Sequence, residues 1–309
     1  MKIITARRLT DEQAESLQGT QLKEEYPVIG GEDAEVFKPN GELLFRLRSG
    51  VVPAELCATG YRALRSAAKE TRNRGAAAGL PDLPPGAEPE GRFRFRPRKR
   101  DGELSERVYA KAVNSGVVGH VDRYATYPYC RQTAWTMEKP ELFYSALPFI
   151  QFVDKLFSET LPDRYAAQRA MIERTHPHFV IHGTSFTTIT VNKNWSTAVH
   201  KDRGDLREGF GVMAAFRAGT FKGCNFVFPQ YGIAVEMGTG DVLFADVHEW
   251  HGNTPIVGIP GRYERLSLVM YYRSKMIYCG SAEEELELAK RREAGTPLSV
   301  RPETLNEEE

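Results

Sequence analysis

Between residues 183 and 273 the chain breaks into short apolar runs, each closed by glycine or proline, and this rhythm limits the possible folds more than any other feature. A short apolar run bounded by turn formers suits a strand, whose side chains alternate every second residue, better than a helix, which needs more length. The pattern predicts strands over 185–191, 196–200, 211–217, 224–228, 233–236, 241–246, 255–258 and 264–272. Gly219, Gly223, Gly232, Gly238-Thr239-Gly240 and Pro260-Gly261 punctuate them. Eight such strands fit a double-stranded β-helix, the jelly roll of cupins and iron dioxygenases. The expected fold class is therefore α+β, a cupin-like jelly-roll core braced by helices from the N-terminal half.

The helices are expected upstream. Pro53 suits the first turn of one, followed by Cys57, Tyr61, Leu64 and Ala68 at spacings of four, three and four. Residues 140–157 carry Phe149, Phe152, Val153, Leu156 and Phe157 on one stripe, and a further helix is expected to start near Pro162. Before these, LLFRLR (43–48) alternates as a strand should, and GAAAGLPDLPPGAEPEG (75–91) reads as a mobile surface loop. Residues 101–135 read as loop and short strand. Three units are expected: an N-terminal extension (1–102), a jelly-roll domain with its bracing helices (103–276) and a charged, weakly helical tail (277–309).

Lys and Arg together number 41, as do Asp and Glu, so attraction to a polyanion must come from local patches. The densest is Arg92 to Arg100, where alternation sets Arg94, Arg96 and Arg98 apart from Phe93 and Phe95. It reads equally as an edge strand with a solvated face and as a phosphate-contacting strip. Cys57, Cys130, Cys224 and Cys279 lie far apart and read as reduced thiols. The N-terminus turns polar quickly and no run of about 18 apolar residues occurs, so the expectation is a soluble intracellular protein, cytoplasmic or nuclear, with no membrane and no evident protein partner.

Within the strand-rich region, His200 and Asp202 stand two residues apart, so an extended backbone turns both side chains the same way. Two imidazoles and one carboxylate would leave open positions on a metal, which suits non-heme Fe(II). His251 is favoured as the third ligand, with His248 shaping the loop or supporting a ligand from behind. In RLSLVMYYR, alternation puts Arg265, Ser267, Val269 and Tyr271 on one face. A guanidinium there can grip a carboxylate through two parallel hydrogen bonds, with Ser267 as a second donor. The bland alternative pairs Arg265 with a local acid such as Glu264, and Arg262 is the fallback clamp. Asn192, Asn194 and Thr197 read as co-substrate contacts or as turn formers, and Asp205 as a loop carboxylate or a substrate acceptor. His120, His176, His178 and His182 lack the spacing to join the site.

These residues carry a resemblance. VNKNWSTAVHKDRGD, GDVLF leading to HEWHGNTP, and RLSLVMYY resemble the TET/JBP family of Fe(II)- and 2-oxoglutarate-dependent dioxygenases, most closely its compact phage, algal and fungal branch. GVVGHVDR and YCRQTAW look like family segments too. The resemblance implies oxidation of the 5-methyl group of 5-methylcytosine or thymine in DNA, to the hydroxymethyl or a further oxidised base. It implies iron on His200, Asp202 and His251, 2-oxoglutarate on Arg265 and Ser267 with Asn192 nearby, and dioxygen as oxidant. Tyr271 would lie beside a flipped-out base and Asp205 near substrate or co-substrate, with Arg131 and Arg94, Arg96 and Arg98 as DNA contacts. A family branch with a similar H-x-D-x-x-D arrangement uses ascorbate, which adds a second possible co-substrate. The competing readings are a hydroxylase of a free nucleoside, small metabolite or protein side chain, and a nucleic-acid-binding module without catalysis.

Overall fold

The computed structural model describes residues 1–23, 25–124 and 127–294. The chain opens with β1 (Lys2–Ile4), α1 (Asp11–Ser16), β2 (Val28–Ile29), β3 (Ala34–Phe37) and β4 (Leu43–Arg48). α1 starts on a capping box: the Thr10 hydroxyl accepts from the Gln13 amide, and the Gln13 side chain accepts from the Thr10 amide. Next come α2 (Ala54–Leu64), β5 (Lys69–Thr71), α3 (Gly75–Ala78), β6 (Glu88–Glu90), β7 (Arg94–Arg96), β8 (Tyr109–Ala110) and β9 (Val113–Val121). β10 (Arg131–Gln132), α4 (Ala134–Glu138), α5 (Pro140–Thr160) and α6 (Pro162–Arg174) follow. Proline begins both α5 and α6, where its missing N–H costs nothing. The remainder is β11 (Thr188–Lys193), β12 (Gly211–Gly223), β13 (Phe226–Phe228), β14 (Ile233–Val235), β15 (Val242–Ala245), β16 (Gly252–Asn253), β17 (Ile256–Tyr271) and α7 (Ala282–Glu293).

Ten strands form the large sheet, in the order β1-β3-β4-β15-β12-β17-β11-β9-β10, with β5 also on β9. Four form a second sheet, β16-β13-β14-β2. The period of two divides the large sheet cleanly. Val212, Phe216, Phe244, Leu266, Leu268 and Met270 pack against α2 and α5 through residues such as Leu64, Phe149, Val153 and Phe157. The alternate residues, among them Phe45, Leu47, Met213 and Leu243, pack instead on Phe226, Phe228 and Val235 of the second sheet. The sandwich with helices on its outer face is the jelly roll that the strand rhythm predicts.

Several expectations need correction. Residues 1–50 are not a separate extension, because β3 and β4 extend the large sheet alongside β15 and β2 joins the second sheet. The strand expected over 196–200 is absent apart from one bridge between His200 and His251, since Thr197 and Ala198 direct their amides to Asn253 and Ala77. The strands expected at 255–258 and 264–272 are one, β17, and its partner β12 runs on to Gly223. Pro260-Gly261 does not end β17, because the register with β12 shifts there and the extra residues bulge outward. The loop over 75–91 is partly structured: α3 buries Ala78, and the Ala77 carbonyl accepts from Ala198.

Cys130 and Cys279 form a disulfide with Cα atoms 5.7 Å apart, which corrects the expectation of four reduced thiols; Cys57 and Cys224 are free and buried. The tail helix is not wholly solvated. Glu285 of α7 is buried, pairs with Arg123 and accepts from the Cys130 and Gly280 amides. Residues 295–309 of the expected tail lie outside the described residues. Among the described residues no helix is long and apolar enough to cross a membrane.

His120 on β9 is only 3% exposed and meets Phe179 edge-on. Burial, with His178 adding repulsion, pushes its imidazole down to about 4. An unfolded chain binds that proton near pH 6.5, so between pH 6.5 and 4 the unfolded state takes up a proton that the native state refuses. Stability therefore falls as pH drops through this window, by up to about 3 kcal/mol. Urea unfolding at pH 7 and pH 4.5 should show His120→Leu losing less stability than the unsubstituted protein; equal losses would remove His120 from the account.

Candidate metal centre

The bridge between His200 and His251 builds the centre. Their backbones exchange two hydrogen bonds, of 2.8 and 2.9 Å, and their rings stand 4.3 Å apart between centroids. Asp202 lies between them, with Oδ1 3.4 Å from His200 Nε2 and Oδ2 3.7 Å from His251 Nε2. Its own amide donates to the Val247 carbonyl, which ties the H-x-D turn to the loop after β15. Among the described residues this is the one group of three or more such side chains able to share a metal ion, its ligand atoms all within 4.8 Å of one another.

The second ring nitrogens fix the tautomers. His200 Nδ1 is 2.8 Å from the Ala198 carbonyl and His251 Nδ1 is 2.9 Å from the Glu249 carbonyl. A carbonyl only accepts, so each Nδ1 carries a proton, and each Nε2 faces Asp202, where a metal ion would take the place of a second proton. Phe226 stacks on the His251 ring at 5.1 Å. Burial, with repulsion from His200, lowers the His251 imidazole to about 4. Burial alone would raise Asp202, but the His200 hydrogen bond and the surrounding imidazoles hold it below the usual carboxylate range. Both groups are thus in the form a metal binds.

His251 is the third member of the group, as the sequence favours. His248 turns its ring away from the group, to the Leu206 carbonyl at 3.4 Å. Arg265 is 3% exposed, and its Nε is buried without a hydrogen-bond partner. Glu264 is not its partner; that carboxylate binds Tyr61, Arg65 and Lys193. Arg262 is exposed in the β17 bulge and cannot substitute as a buried clamp. Ser267 faces Asn192 across β17 and β11, and the Asn192 side-chain Oδ1 accepts from the Ser115 hydroxyl at 2.6 Å. Asn194 serves the turn instead: at a φ of 48° its side chain accepts from the Arg265 amide. Thr197 donates to Asn253.

Tyr271 is buried, with its hydroxyl 3.1 Å from Thr190. Asp205 is buried and bridges backbone to backbone with Arg273, whose guanidinium donates to Asp122 at 2.8 Å. Arg131 lies over the rings of Tyr124, Tyr127 and Tyr129 and binds the Tyr124 hydroxyl. Arg94 and Arg96 lie on β7 of the separate sheet β6-β7-β8, and Arg98 follows it in a bridge with Leu104; Arg96 pairs with Glu90 and Arg98 with Glu88. Arg96 and Arg98 are thus each offset by an acid of β6, which a count of arginines cannot reveal. Sequence reasoning also missed Phe226, because a phenylalanine in a strand carries no mark of the ring it stacks on.

Substituting Asp202→Asn or His251→Ala should abolish measurable binding of a divalent metal in calorimetry. Arg265→Met should leave metal binding in place, because its guanidinium is no member of the metal group. Unchanged metal binding in Asp202→Asn would remove this group as a metal site.

Comparison with known proteins agrees with this geometry. Residues 121–274 match Tet_JBP, the oxygenase domain of the 2OGFeDO superfamily. The bifunctional helicase and thymine dioxygenase JBP2 of Trypanosoma cruzi is 37% identical over 177 residues, covering 54% of this chain and 16% of that protein. Thymine dioxygenase JBP1 of Trypanosoma brucei brucei is 36% identical over 169 residues, 53% of this chain and 19% of that protein. The matched region thus spans less than a fifth of either relative. Among solved structures, NgTET1 in complex with 5mC DNA superposes with a TM-score of 0.53 at 12% identity, over 92% of this chain and all of that one, a likeness of fold. With the His200–Asp202–His251 group in a jelly roll of this shape, residues 121–274 belong to the Tet_JBP oxygenase family.

Proposed function

We propose that this chain oxidises the 5-methyl group of a pyrimidine in DNA, thymine or 5-methylcytosine, using Fe(II), 2-oxoglutarate and dioxygen. The observation that carries the reading is the buried Arg265 guanidinium with an unpartnered Nε, on the sandwich-facing side of the sheet whose partner sheet holds the metal loop. An isolated buried cation costs several kcal/mol, and a dicarboxylate such as 2-oxoglutarate supplies the missing anion. Ser267 and Asn192, neighbours across β17 and β11, offer further polar atoms on that face.

The donor set fits iron as well: two neutral imidazoles and one carboxylate leave positions for a co-substrate and for oxygen. When bound, Fe(II) would let dioxygen act as the oxidant, two of its four electrons coming from 2-oxoglutarate, which leaves as succinate and carbon dioxide, and two from the methyl group, which becomes hydroxymethyl. The protein's part is placement. Ala198 and Glu249 hold the imidazoles by their Nδ1 atoms, Phe226 closes one side of His251 against water, and Arg265 orients the co-substrate. A methyl group in duplex DNA is reached by extruding its nucleotide. Tyr271, Asp205 and the Tyr-lined Arg131 are the proposed contacts for that base and strand. Arg94, Arg96 and Arg98 could reach phosphate by exchanging Glu88 and Glu90 for it. The comparisons favour DNA as substrate, since the relatives at 35–37% identity are named thymine dioxygenases and NgTET1 was solved with 5mC DNA.

The test is incubation with Fe(II), air and DNA carrying either base, supplying 2-oxoglutarate or ascorbate separately, with nucleoside mass spectrometry and succinate measured together. Hydroxymethyl base and succinate should appear with 2-oxoglutarate. Arg265→Met should raise the apparent KM for 2-oxoglutarate by about 30-fold or more, the effect of removing one partner from a buried charge pair. Succinate formed only with a free nucleoside, metabolite or peptide would turn the reading to a different hydroxylase. No oxidised base from either DNA would overturn it.

A further inference from the structure

The loop that delivers His251 is pegged from outside by a residue far from it in sequence. Lys38 sits in the turn of the β3–β4 hairpin, where its amide donates to the Glu42 carbonyl and the Gly41 amide donates back to its own. β4 pairs with β15 up to Phe45 and Ala245, and the Asp246 amide continues the ladder onto the Leu44 carbonyl. This register carries the turn to the start of the metal loop. Lys38 Nζ lies 2.8 Å from Asp246 Oδ2, 2.8 Å from Glu249 Oε1 and 3.3 Å from Glu42 Oε2. Its side chain is only 10% exposed, and those of Asp246 and Glu249 are 15% and 19% exposed.

Both of those residues also shape the loop. Asp246 Oδ1 accepts from the His248 amide, and the Asp246 carbonyl accepts from the Glu249 amide. The Glu249 carbonyl receives His251 Nδ1. We propose that Lys38 is a positioning residue for the metal centre: by bridging Asp246 and Glu249 it holds the turn that aims the Glu249 carbonyl at His251 and keeps Nε2 toward Asp202. The inference rests on reading His200, Asp202 and His251 as metal ligands. Without the ammonium, two part-buried carboxylates three residues apart repel each other. The turn then opens and the imidazole loses its anchor. Lys38 lies outside the matched residues 121–274, so the N-terminal hairpin becomes a working part of the centre.

Co(II) titration of the full chain, followed by its visible absorption, tests this. The unsubstituted protein should bind Co(II). Lys38→Met should weaken binding about tenfold or more, as losing a group that orients a ligand does, and should alter the Co(II) band shape. Lys38→Arg, which can still bridge both carboxylates, should restore most of the affinity. Glu249→Gln keeps the carbonyl but loses the ion pair, and should weaken binding in the same direction if Lys38→Met fails to fold. Arg46→Met removes the Arg46–Glu35 pair on the same hairpin; it should lower the Tm while leaving Co(II) affinity within about twofold, since no metal ligand depends on it. Unchanged affinity in Lys38→Met and Glu249→Gln would overturn the proposal, as would an equal loss in Arg46→Met. If the unsubstituted protein bound no Co(II), the metal centre itself would fall, and this inference with it.

Discussion

The paired backbone hydrogen bonds between His200 and His251 are the constraint on which the centre depends. His200 follows β11 of the large sheet, and His251 immediately precedes β16 of the second sheet. The bridge therefore stitches the two sheets together at one end of the sandwich, and the metal group forms at the stitch. Each histidine binds the carbonyl two residues before it, so both rings arrive as the same tautomer with Nε2 inward. Little is left for a metal to organise on arrival, because the side-chain entropy of both rings is already lost on folding.

Arg265 makes a complementary demand on the same sandwich. Leu266, Leu268 and Met270 face the helices, so the period of two obliges Arg265, Ser267 and Tyr271 to face the other way. Nothing about jelly-roll packing requires a cation there; apolar residues would pack more cheaply. Its nearest acid in sequence, Glu264, points to the opposite face and is fully engaged by Tyr61, Arg65 and Lys193. Among the described residues the Arg265 Nε has no partner, a cost that the proposed anionic co-substrate offsets.

Much of this was legible from residue order because it rests on local periodicity. LLFRLR, the helices after Pro53, Pro140 and Pro162, and the faces of β17 follow from spacing alone, and so does the shared direction of His200 and Asp202. What stayed hidden depends on pairing between distant segments, which spacing does not encode. Cys130 and Cys279 are 149 residues apart and meet where the turn after β17 comes back beside β10, with Glu285 of α7 accepting from the Cys130 amide. Pro260-Gly261 looks like a strand end but is absorbed as a bulge, since β12 is long enough to pair on both sides of it. Lys38 reads as an ordinary turn lysine until β4 is seen against β15.

The exposure of the three side chains gives the centre a direction. His251 is closed in at 3% and backed by Phe226, His200 is 13% exposed, and Asp202 is 30% exposed. The opening therefore lies on the carboxylate side, where the chain runs on through residues 203–205 to Asp205 and its bridge with Arg273. Anything that reaches the centre arrives from that side, since the imidazole side is walled by Phe226 of the second sheet. The segment 202–205 thus both supplies the carboxylate and borders the open side of the centre.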